Sequence, residues 1–582
     1  MNYPVWDIPA GGLLIAVIAI LHVFVSHFAV GGGLFLVLVE RQARRDGDDA
    51  LLGYVRQHSR FFILLTLVFG AITGVGIWFT IGLVHPAATS SLINTFVWGW
   101  AIEWTFFVTE IAAAMVYYYG WDRLSARVHL AVGWIYFVSA WLSLVIINGI
   151  LTYMLTPGAW ITTRGFWDGF FNETYWPGMF ARTFVAIGLA GLYAMWTAAA
   201  IRDAGLKARV VRLAAWWVLA AAVSVPLTLA WFLAAASGAG VPVAEIFGAR
   251  GAGMGSLIAA VFGTTTSGYP VAQRAAFWLV LSAIALVAAT LRAVHRGGRL
   301  GRPLAALMLA LGLVAMGGGE FIREDLRKPY VIGRYMFVSG VRLPDPPGVA
   351  TPPDTHVRAF GRDRFTIDAL NAGGVLAASV WVRPVPDSMI APAHYAEKAA
   401  HQGRELFRTL CAACHTIDGY LAIRPLVRGK SVEAIDGMLG RLAMPVDASG
   451  APVAWNAPAL QLKTWRGRRM APFVGTAEER RLLAAHLAIV GGASPAAVAA
   501  PEASAGTGQK YYDANCAACH APDAMAPFDN DGLDAAALYL QIGKLPAINE
   551  MMPAFEGTEA ERRALAEYLA SLPRPSKKGG AK

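Results

Sequence analysis

Residues 129–155 read HLAVGWIYFVSAWLSLVIINGILTYML, a run of 27 residues without Asp, Glu, Lys or Arg. About 20 apolar residues in a helix cross the hydrocarbon core of a bilayer, so this stretch predicts a transmembrane helix. Seven further runs of this kind lie at about 11–39, 60–84, 95–120, 180–201, 213–237, 275–292 and 303–322. The predicted fold class is therefore all-α, a polytopic transmembrane helix bundle of about eight spans followed by soluble sequence.

The composition agrees with a chain that meets little water. Only 15% of the 582 residues are charged, against about 25% in ordinary soluble domains, and 56% are hydrophobic. The formal net charge is +10, but much of the arginine lies in short loops between apolar runs. The basic patch of Arg466, Arg468 and Arg469 lacks interleaved aromatic residues, so no nucleic-acid partner is expected.

The basic residues also predict the orientation in the membrane. Arg and Lys concentrate in the first, third, fifth and seventh loops, whereas the alternate loops hold only Arg164, Arg182, Arg250 and Arg274. The positive-inside rule places the basic loops in the cytoplasm. We therefore expect a multi-pass protein of a bacterial inner membrane, with its N-terminus and C-terminal part in the periplasm. No basic segment precedes the first run, so the first span is expected to direct insertion.

The pentapeptide CAACH occurs twice, at Cys411–His415 and Cys516–His520, and uses all four cysteines of the chain. CxxCH is the attachment motif of c-type haem: two thiols bond to the haem vinyl groups, and the histidine binds the iron. A redox-active CxxC that precedes histidine by chance explains two identical copies poorly. Two covalent haems c are therefore predicted, on Cys411, Cys414 and His415 and on Cys516, Cys519 and His520. Haem c is attached on the periplasmic side, in agreement with the predicted orientation.

The repeat and the shifts in composition divide the chain into six segments. These are a membrane bundle (1–325), a Pro-rich periplasmic connecting segment (326–385), a first CAACH unit (386–492), a linker (493–505), a second CAACH unit (506–573) and a basic tail (574–582). Each CAACH unit is expected to end in a helix, at about 477–490 and 558–571. The apolar stretch 370–382 is too short to span a membrane, so it is not counted as a ninth span.

Both CAACH units resemble class I cytochrome c, a small α-helical domain. In that family, a methionine in a Met-Pro-Pro-Phe-like turn before the last helix is the second axial ligand. Met470, in Met-Ala-Pro-Phe, and Met552, in Met-Pro-Ala-Phe, match that turn. Met444 and Met551 remain alternatives. A histidine and a thioether on one iron give a low-spin haem with a raised reduction potential.

Ionisable residues in or beside the predicted spans are candidates for haem ligands and proton carriers, because they are costly to place in lipid. They are His22 and His27 in the first span, Glu103 and Glu110 in the third, and Glu320 and Glu324 after the eighth. Glu103 and Glu110 are seven residues apart and therefore lie on nearly one helix face. The alternative is a packing pair that is hydrogen-bonded to Thr105, Thr109 or other neighbours.

The bundle also contains several short motifs in a recognisable order. They are Leu21–Val25, Gly70–Gly74, Ala101–Glu103, Gly120–Leu124, His129, Asn148–Gly149 and Glu324–Tyr330. Together they resemble the catalytic subunit I of cytochrome bd oxidases over about residues 10–335. This resemblance implies two non-covalent haems, of type b or d or both, at a high-spin site in the membrane. It also implies a homologous second membrane subunit as partner.

The resemblance further implies roles for individual residues. His22 would be the axial ligand of one membrane haem and Glu324 that of the other, with Arg327 beside the haem propionates. Glu103 and Glu110 would line the site, as a possible ligand and as proton-path residues.

The departures from the family are equally informative. Quinol-oxidising members hold a low-spin haem b between a histidine and a methionine, and these positions fall on Arg182 and near Ala276. The long quinol-binding loop is reduced to roughly 238–270. The sequence thus resembles a divergent branch without a quinol site, fused to two class I cytochrome c domains. Arg182 is a candidate for holding a haem propionate or a helix C-terminus.

The leading hypothesis is a haem-dependent terminal oxidase. A periplasmic donor, a cytochrome c or a cupredoxin, would reduce the haems c, and these would feed a di-haem site that reduces oxygen. The first alternative is a quinol/cytochrome c conduit without oxygen chemistry, with His27 and His85 as additional ligands. Nitric oxide or peroxide could also replace oxygen, or the bundle could have lost its haems. His129 and Asn148 match family positions with less defined roles.

Overall fold

The computed structural model describes most of the chain. The described residues are 6, 8, 11–249, 254–262, 271–296, 299–349, 365–379, 382, 395–457, 460–464, 469–494, 498, 506–521, 527–530, 532–549, 552–557 and 559–572. Outside them lie Met551, Arg466, Arg468, residues 350–364 of the Pro-rich connecting segment, most of the linker and the tail 574–582. The chain separates into two compact units, one formed by Gly12–Phe337 and one that contains Val338 and the residues after it.

The first unit is built almost wholly of helices. They are α1 (Gly11–Asp46), α2 (Asp49–Ile63), α3 (Ala71–Val84), α4 (Pro86–Thr95), α5 (Val97–Tyr119), α6 (Ala126–Tyr153), α7 (Trp160–Thr163), α8 (Phe166–Phe170), α9 (Tyr175–Ala198), α10 (Ala204–Gly238), α11 (Val243–Ile246), α12 (Met254–Phe262), α13 (Val271–His295) and α14 (Arg302–Arg327). Side-chain oxygens of Asp48, Ser125 and Asp203 accept backbone N–H groups at the starts of α2, α6 and α10. Such caps satisfy N–H groups that have no partner within the helix.

Seven helical segments in the described part are long and apolar enough to cross a membrane. They are Gly11–Asp46, Asp49–Val84, Ala126–Tyr153, Tyr175–Ala198, Ala204–Gly238, Val271–His295 and Arg302–Arg327. The all-α membrane bundle is therefore confirmed. Helix α5 has 23 residues, about 34 Å at 1.5 Å per residue, but Glu103 and Glu110 lower its hydropathy. The predicted third span, at 95–120, is thus a long helix whose membrane crossing stays a prediction.

A π-helical segment, Leu64–Gly70, joins α2 to α3 within one of these spans. Sequence periodicity did not predict it, because a π-turn changes the hydrogen bonds and leaves the apolar pattern intact. Such segments often occur at functional sites. This one ends directly before Thr73 and Gly74, which contact His22.

A short antiparallel hairpin follows α14. Its strands are β1 (Tyr330–Ile332) and β2 (Met336–Phe337), with Tyr330 opposite Phe337. The N–H of Gly333 in the hairpin turn donates to the Met154 carbonyl at 2.9 Å. A Cβ at Gly333 would lie 2.4 Å from the Leu155 carbonyl oxygen, so this contact with the end of α6 requires glycine.

The second unit contains the two CAACH units. Its helices are Ile367–Gly373, Val375–Ala378, Tyr395–Leu410, Arg424–Val427, Val432–Leu439, Ala477–Val490, Thr507–Asn515, Ala517–His520, Ala535–Ile542, Leu545–Ile548 and Glu559–Ser571, and its strands Ala443–Val446 and Gln461–Thr464 pair antiparallel. In the apolar stretch 370–382, residues up to Ala378 belong to two short helices, which are interrupted at Gly374 with φ +85°. The last helices of the CAACH units agree with the predicted positions to within a residue.

The two CAACH units share one helix crossing. In each unit a glycine lies eight residues before the first cysteine, Gly403 in the first and Gly508 in the second. A Cβ at Gly403 would lie 2.5 Å from the Leu482 carbonyl oxygen, and one at Gly508 would lie 1.9 Å from that of Ala564. The first and last helices of each unit therefore cross at a distance that only glycine allows. The internal repeat extends from the motif to the packing.

Candidate haem sites

The CAACH segments form the same turn in both units. The N–H groups of Cys414 and His415 donate to the Cys411 carbonyl at 3.1 and 2.9 Å. In the second unit, Cys519 and His520 donate to the Cys516 carbonyl, both at 3.0 Å. Residues i and i+3 of such a turn lie on the same side. Both thiol pairs therefore have the arrangement that attachment to two vinyl groups of one haem requires.

The ring of His415 is oriented by its own chain. Its Nδ1 lies 2.8 Å from the Leu421 carbonyl oxygen, which can only accept, so Nδ1 carries the hydrogen. Histidines that bind iron through Nε2 usually donate Nδ1–H to a backbone carbonyl in this way. Leu421 has φ +48°, an uncommon backbone conformation that a functional constraint can maintain.

The second histidine is positioned through its backbone. The His520 carbonyl accepts the Tyr512 hydroxyl at 2.8 Å and the Phe528 N–H at 2.9 Å. The ring of Phe528 meets the His520 ring edge-on, with centroids 6.2 Å apart. Phe528 and Tyr512 together hold the segment that carries His520.

The four thiols are half-buried and form no disulfide. Burial raises the pKa of the Cys411 and Cys516 thiols to about 12. Cysteines of disulfide oxidoreductases have lowered thiol pKa values instead. The donor set and its environment therefore fit haem c better than a redox-active CxxC.

The candidate axial methionines differ in exposure. Met470 and Met552 are half-buried and lie shortly before the last helix of their units. Met444 lies on strand Ala443–Val446 and is 37% exposed, which makes it the weaker alternative to Met470. Met551 is not among the described residues, so Met552 and Met551 remain alternatives.

In the membrane bundle, His22 of α1 lies against α3. Its Nδ1 is 3.1 Å from the Thr73 hydroxyl oxygen, and that hydroxyl donates to the Phe69 carbonyl at 2.8 Å. The hydroxyl can therefore accept from Nδ1–H, which leaves Nε2 for iron. A Cβ at Gly74 would lie 3.1 Å from His22 Cε1, so glycine gives the ring its space. With the hydrogen on Nδ1, His22 would present Nε2 to a haem iron.

Glu324 is ion-paired to Arg327 one turn along α14. The Arg327 guanidinium is buried, and one of its terminal nitrogens lies 3.4 Å from the Met154 sulfur. Its Nε has no hydrogen-bond partner among the described residues. A buried N–H without an acceptor is costly. A haem propionate at this place would supply the acceptor, so these residues fit the group that the resemblance implies.

His27 and Arg182 lie near the same acidic residue. His27 is 4% exposed, and its Nδ1 donates to the Val23 carbonyl at 2.9 Å. Both side chains interact electrostatically with Glu320, which also accepts from Arg323 Nε at 2.8 Å. Arg182, the residue expected from the resemblance at the position of a haem b ligand, therefore belongs to a cluster of charged side chains.

Glu103 and Glu110 of α5 both face α6. Ser143 donates to Glu103 Oε1 at 2.8 Å, and Tyr136 donates to Glu110 Oε1 at 3.0 Å. The Thr105 and Thr109 hydroxyls bond instead to carbonyls of their own helix. The two acids are therefore not a pair held by these threonines; each has its own hydroxyl partner on the neighbouring helix.

His129 uses both ring nitrogens. Its Nδ1 lies 2.8 Å from Glu40 Oε1, and its Nε2 lies 2.9 Å from the Tyr117 carbonyl oxygen. Glu40 is fully buried and also accepts from Arg44 at 2.7 Å and from the Tyr117 hydroxyl at 2.7 Å. His129 therefore has no nitrogen left for iron. Sequence reasoning missed Glu40, although a single acid near the end of an apolar run is a signal.

The two remaining candidates have structural contacts. Asn148 is buried, and its amide nitrogen donates to the Tyr175 carbonyl at 2.9 Å, which joins α6 to the start of α9. His85 lies between α3 and α4, and its carbonyl accepts the Thr89 N–H and hydroxyl. Within the described ranges, no three His, Cys, Asp or Glu side chains cluster as ligands of a metal ion.

Comparison with known proteins identifies two domains. Residues 13–239 match the family model of cytochrome bd terminal oxidase subunit I, and residues 503–569 match that of subunit III of cbb3-type cytochrome c oxidase. The solved bd oxidase of Geobacillus thermodenitrificans matches at 14% identity and TM-score 0.41, over 55% of this chain and 87% of that chain. No curated protein matches. The chain therefore contains a bd-type subunit I domain at its N-terminus and a cytochrome c domain near its C-terminus.

These domains imply a membrane-bound oxidoreductase of electron transport that uses haem, with haem c in the C-terminal domain. The first CAACH unit lies outside both matched ranges. Its assignment depends on the motif, the turn and the glycine crossing that it shares with the second unit.

Proposed function

We propose that this chain is the catalytic subunit of a bd-type oxygen reductase that receives electrons from a periplasmic donor through two haems c. The observation that carries the proposal is the pair of ligand-ready histidines: His22 in the bundle and His415 in the first CAACH unit each have Nδ1 on an acceptor. Arg182 and Ala276, at the positions of the missing haem b ligands, explain why electrons would enter through the CAACH units and not from quinol.

Bound at these sites, haems c supply one-electron carriers, and the membrane haems supply an iron at which oxygen can be reduced. The chain's own residues have five tasks. Cys411, Cys414, Cys516 and Cys519 anchor the haems c, and His415 with Met470 and His520 with Met552 bind their irons. His22 and Glu324 bind the membrane haems, and Arg327 holds a propionate. Glu110 and Glu103 accept and release protons on the face of α5 that meets α6.

Two further features belong to the proposal. The basic loops favour a periplasmic C-terminal part, where a soluble cytochrome c or a cupredoxin could reach the CAACH units. The bd-type domain favours a second, homologous membrane subunit, since bd oxidases have several subunits.

The second candidate is a quinol/cytochrome c conduit without oxygen reduction. It would require two protein ligands on each membrane haem. His27 favours it, because its Nδ1 is bound to the Val23 carbonyl and Nε2 remains for a metal.

Oxygen uptake by the purified complex separates the two candidates. Ascorbate with a small redox mediator reduces haem c directly, and a quinol is assayed in parallel. We expect uptake with the mediator and none with quinol. A variant with Cys516→Ser and Cys519→Ser, which cannot attach the second haem, should lose that uptake. Fully reduced haems without uptake from either donor would overturn the oxygen-reductase proposal and favour the conduit.

A further inference from the structure

The first CAACH unit contacts the haem-attachment turn of the second. Helix Val432–Leu439 of the first unit packs against helix Thr507–Asn515, which leads into Cys516. A Cβ at Gly437 would lie 1.9 Å from the Ala514 carbonyl oxygen. Gly437 therefore allows a backbone contact that any other residue would prevent.

Polar side chains of the first unit hold the same segment from both sides of the cysteine. Arg441 donates to the Asn515 side-chain oxygen at 2.6 Å and to the Ala514 carbonyl at 2.7 Å. Lys430 donates to the Ala518 carbonyl at 3.3 Å. These bonds fix the backbone immediately before and after Cys516.

The interface also has an apolar part. Ala434 of the first unit is 1% exposed and belongs to the hydrophobic core of the second unit, together with Tyr512, Ala517 and Leu538. A helix that supplies a core residue to its neighbour is not held by surface polar contacts alone. The two units should therefore keep a fixed geometry.

Arg441 brings a positive charge to the second haem-attachment turn. Its guanidinium nitrogens lie 2.6 Å from the Asn515 side-chain oxygen and 2.7 Å from the Ala514 carbonyl, one and two residues before Cys516. Its Nε is buried and has no hydrogen-bond partner among the described residues. Reduction of a haem iron adds one negative charge, so a nearby cation favours the reduced form.

We propose that the two CAACH units form one rigid two-haem module, docked through Gly437 and Ala434, in which Arg441 raises the reduction potential of the second haem c. The proposal rests on the proposed function in one respect, namely that both units bind haem. Within the module one electron passes between the irons: the ferrous iron of one haem becomes ferric and the ferric iron of the other becomes ferrous. No atom and no proton is transferred.

Redox titration of the haem c absorption bands in the full complex tests the role of Arg441. Haem content is determined first, and two haems c per wild-type chain are expected. Arg441→Gln should make the second haem about tenfold harder to reduce at a given potential, roughly 59 mV lower, and should leave the first haem unchanged. Arg441→Lys should restore part of the shift. The control is Arg424→Gln, because Arg424 is ion-paired to Asp418 within the first unit.

A steric variant tests the docking. Gly437→Val should slow electron transfer between the haems at least tenfold. Gly506→Val is the control, because a Cβ there meets no atom within 4 Å. If Gly437→Val loses haem, the redox titration of Arg441→Gln becomes the test of the proposal. This inference would be overturned if Arg441→Gln binds two haems c and their potentials stay unchanged or move together; the proposed function would then remain intact. Fewer than two haems c in the wild type would overturn both the inference and the proposed function.

Discussion

The phenolic oxygen of Tyr136 on α6 lies 3.0 Å from Glu110 Oε1 on α5. It also lies 3.1 Å from the Ala29 carbonyl oxygen on α1. A phenol has one hydrogen to donate. When that hydrogen goes to Ala29, Tyr136 and Glu110 remain hydrogen-bonded only if the carboxyl is protonated and donates. The two arrangements differ by one proton on Glu110, as a proton-transfer residue requires.

The first prediction concerns this proton. Glu110→Gln keeps the shape of the side chain and its contact with Tyr136 but cannot lose a proton. We expect mediator-driven oxygen uptake to fall by about 10²- to 10⁴-fold, the usual contribution of a positioned acid or base, with haem content and spectra retained. Thr109→Val on the same helix is the control and should leave the rate unchanged. Near-normal uptake in Glu110→Gln would exclude Glu110 from the proton path.

The second prediction concerns the hydrogen bond that orients His22. Thr73→Val removes the hydroxyl 3.1 Å from His22 Nδ1. Loss of such a partner typically weakens metal binding ten- to hundredfold. We expect the purified variant to retain less non-covalent haem than the wild type, measured by haem extraction and pyridine haemochrome spectra. Thr80→Val is the matched control, because the Thr80 hydroxyl bonds only to its own helix, at the Gly76 carbonyl. Equal haem content in all three proteins would show that the Thr73 hydroxyl does not control haem binding at His22.

The features that could be predicted from the sequence are the local ones. CAACH is contiguous, so its chemistry can be identified without a fold. The last helices of the CAACH units were predicted to within a residue because polar positions and caps delimit them. Thr476, for example, forms a capping box with Glu479. The ends of the membrane spans were predicted less exactly. Helix α1 continues to Asp46 through Arg41, Arg44 and Arg45, since long basic side chains can leave the lipid while the backbone stays helical.

The features that could not be predicted depend on partners far away in the chain. Nothing near His129 indicates that Glu40, 89 positions earlier, occupies its Nδ1. Nothing near Gly437 indicates that the Ala514 carbonyl lies against it. The π-helical segment before Thr73 likewise has no apolar signature. Helix packing decides each of these contacts. In the membrane bundle, the apolar pattern specifies that packing weakly because nearly every face is apolar.

The third prediction concerns Glu479 at the start of helix Ala477–Val490. Its carboxylate is 6% exposed and accepts the N–H groups of Val375, Leu376 and Thr476 at 2.8–3.0 Å. Glu479→Gln would turn an amide N–H₂ toward these donors. We expect the free energy of unfolding of the first CAACH unit to fall by about 2–3 kcal/mol, the range for a charge-assisted hydrogen bond.

The measurement is denaturant unfolding of the full chain, followed by haem c Soret circular dichroism. Glu478→Gln is the control. Glu478 is 73% exposed and ion-paired to Lys398 at 3.6 Å, so its loss should cost less than about 1 kcal/mol. If both variants unfold at the same denaturant concentration as the wild type, Glu479 does not hold the connecting segment.

The fourth prediction concerns pH and His486 in the same helix. Burial, and then the neighbouring Arg404, lower the pKa of His486 from 6.5 to about 4. The unfolded chain therefore binds a proton as the pH falls below about 6.5, whereas the folded unit does so only near pH 4. The stability that depends on neutral His486 is thus complete above pH 6.5 and is lost as the pH falls from 6.5 to 4, by at most about 3 kcal/mol.

Unfolding midpoints of the first CAACH unit at pH 7, 6, 5 and 4 test this dependence. His486→Leu keeps an apolar side chain against Phe407, whose ring centroid lies 6.5 Å from that of His486, and cannot be protonated. We expect the difference in stability between the variant and the wild type to shift in favour of the variant as the pH falls. The difference in stability should change most steeply between pH 6 and 5, where the unfolded state carries the proton and the folded state does not. Parallel pH profiles for the two proteins would show that His486 is charged in the folded unit or that the acid sensitivity arises elsewhere.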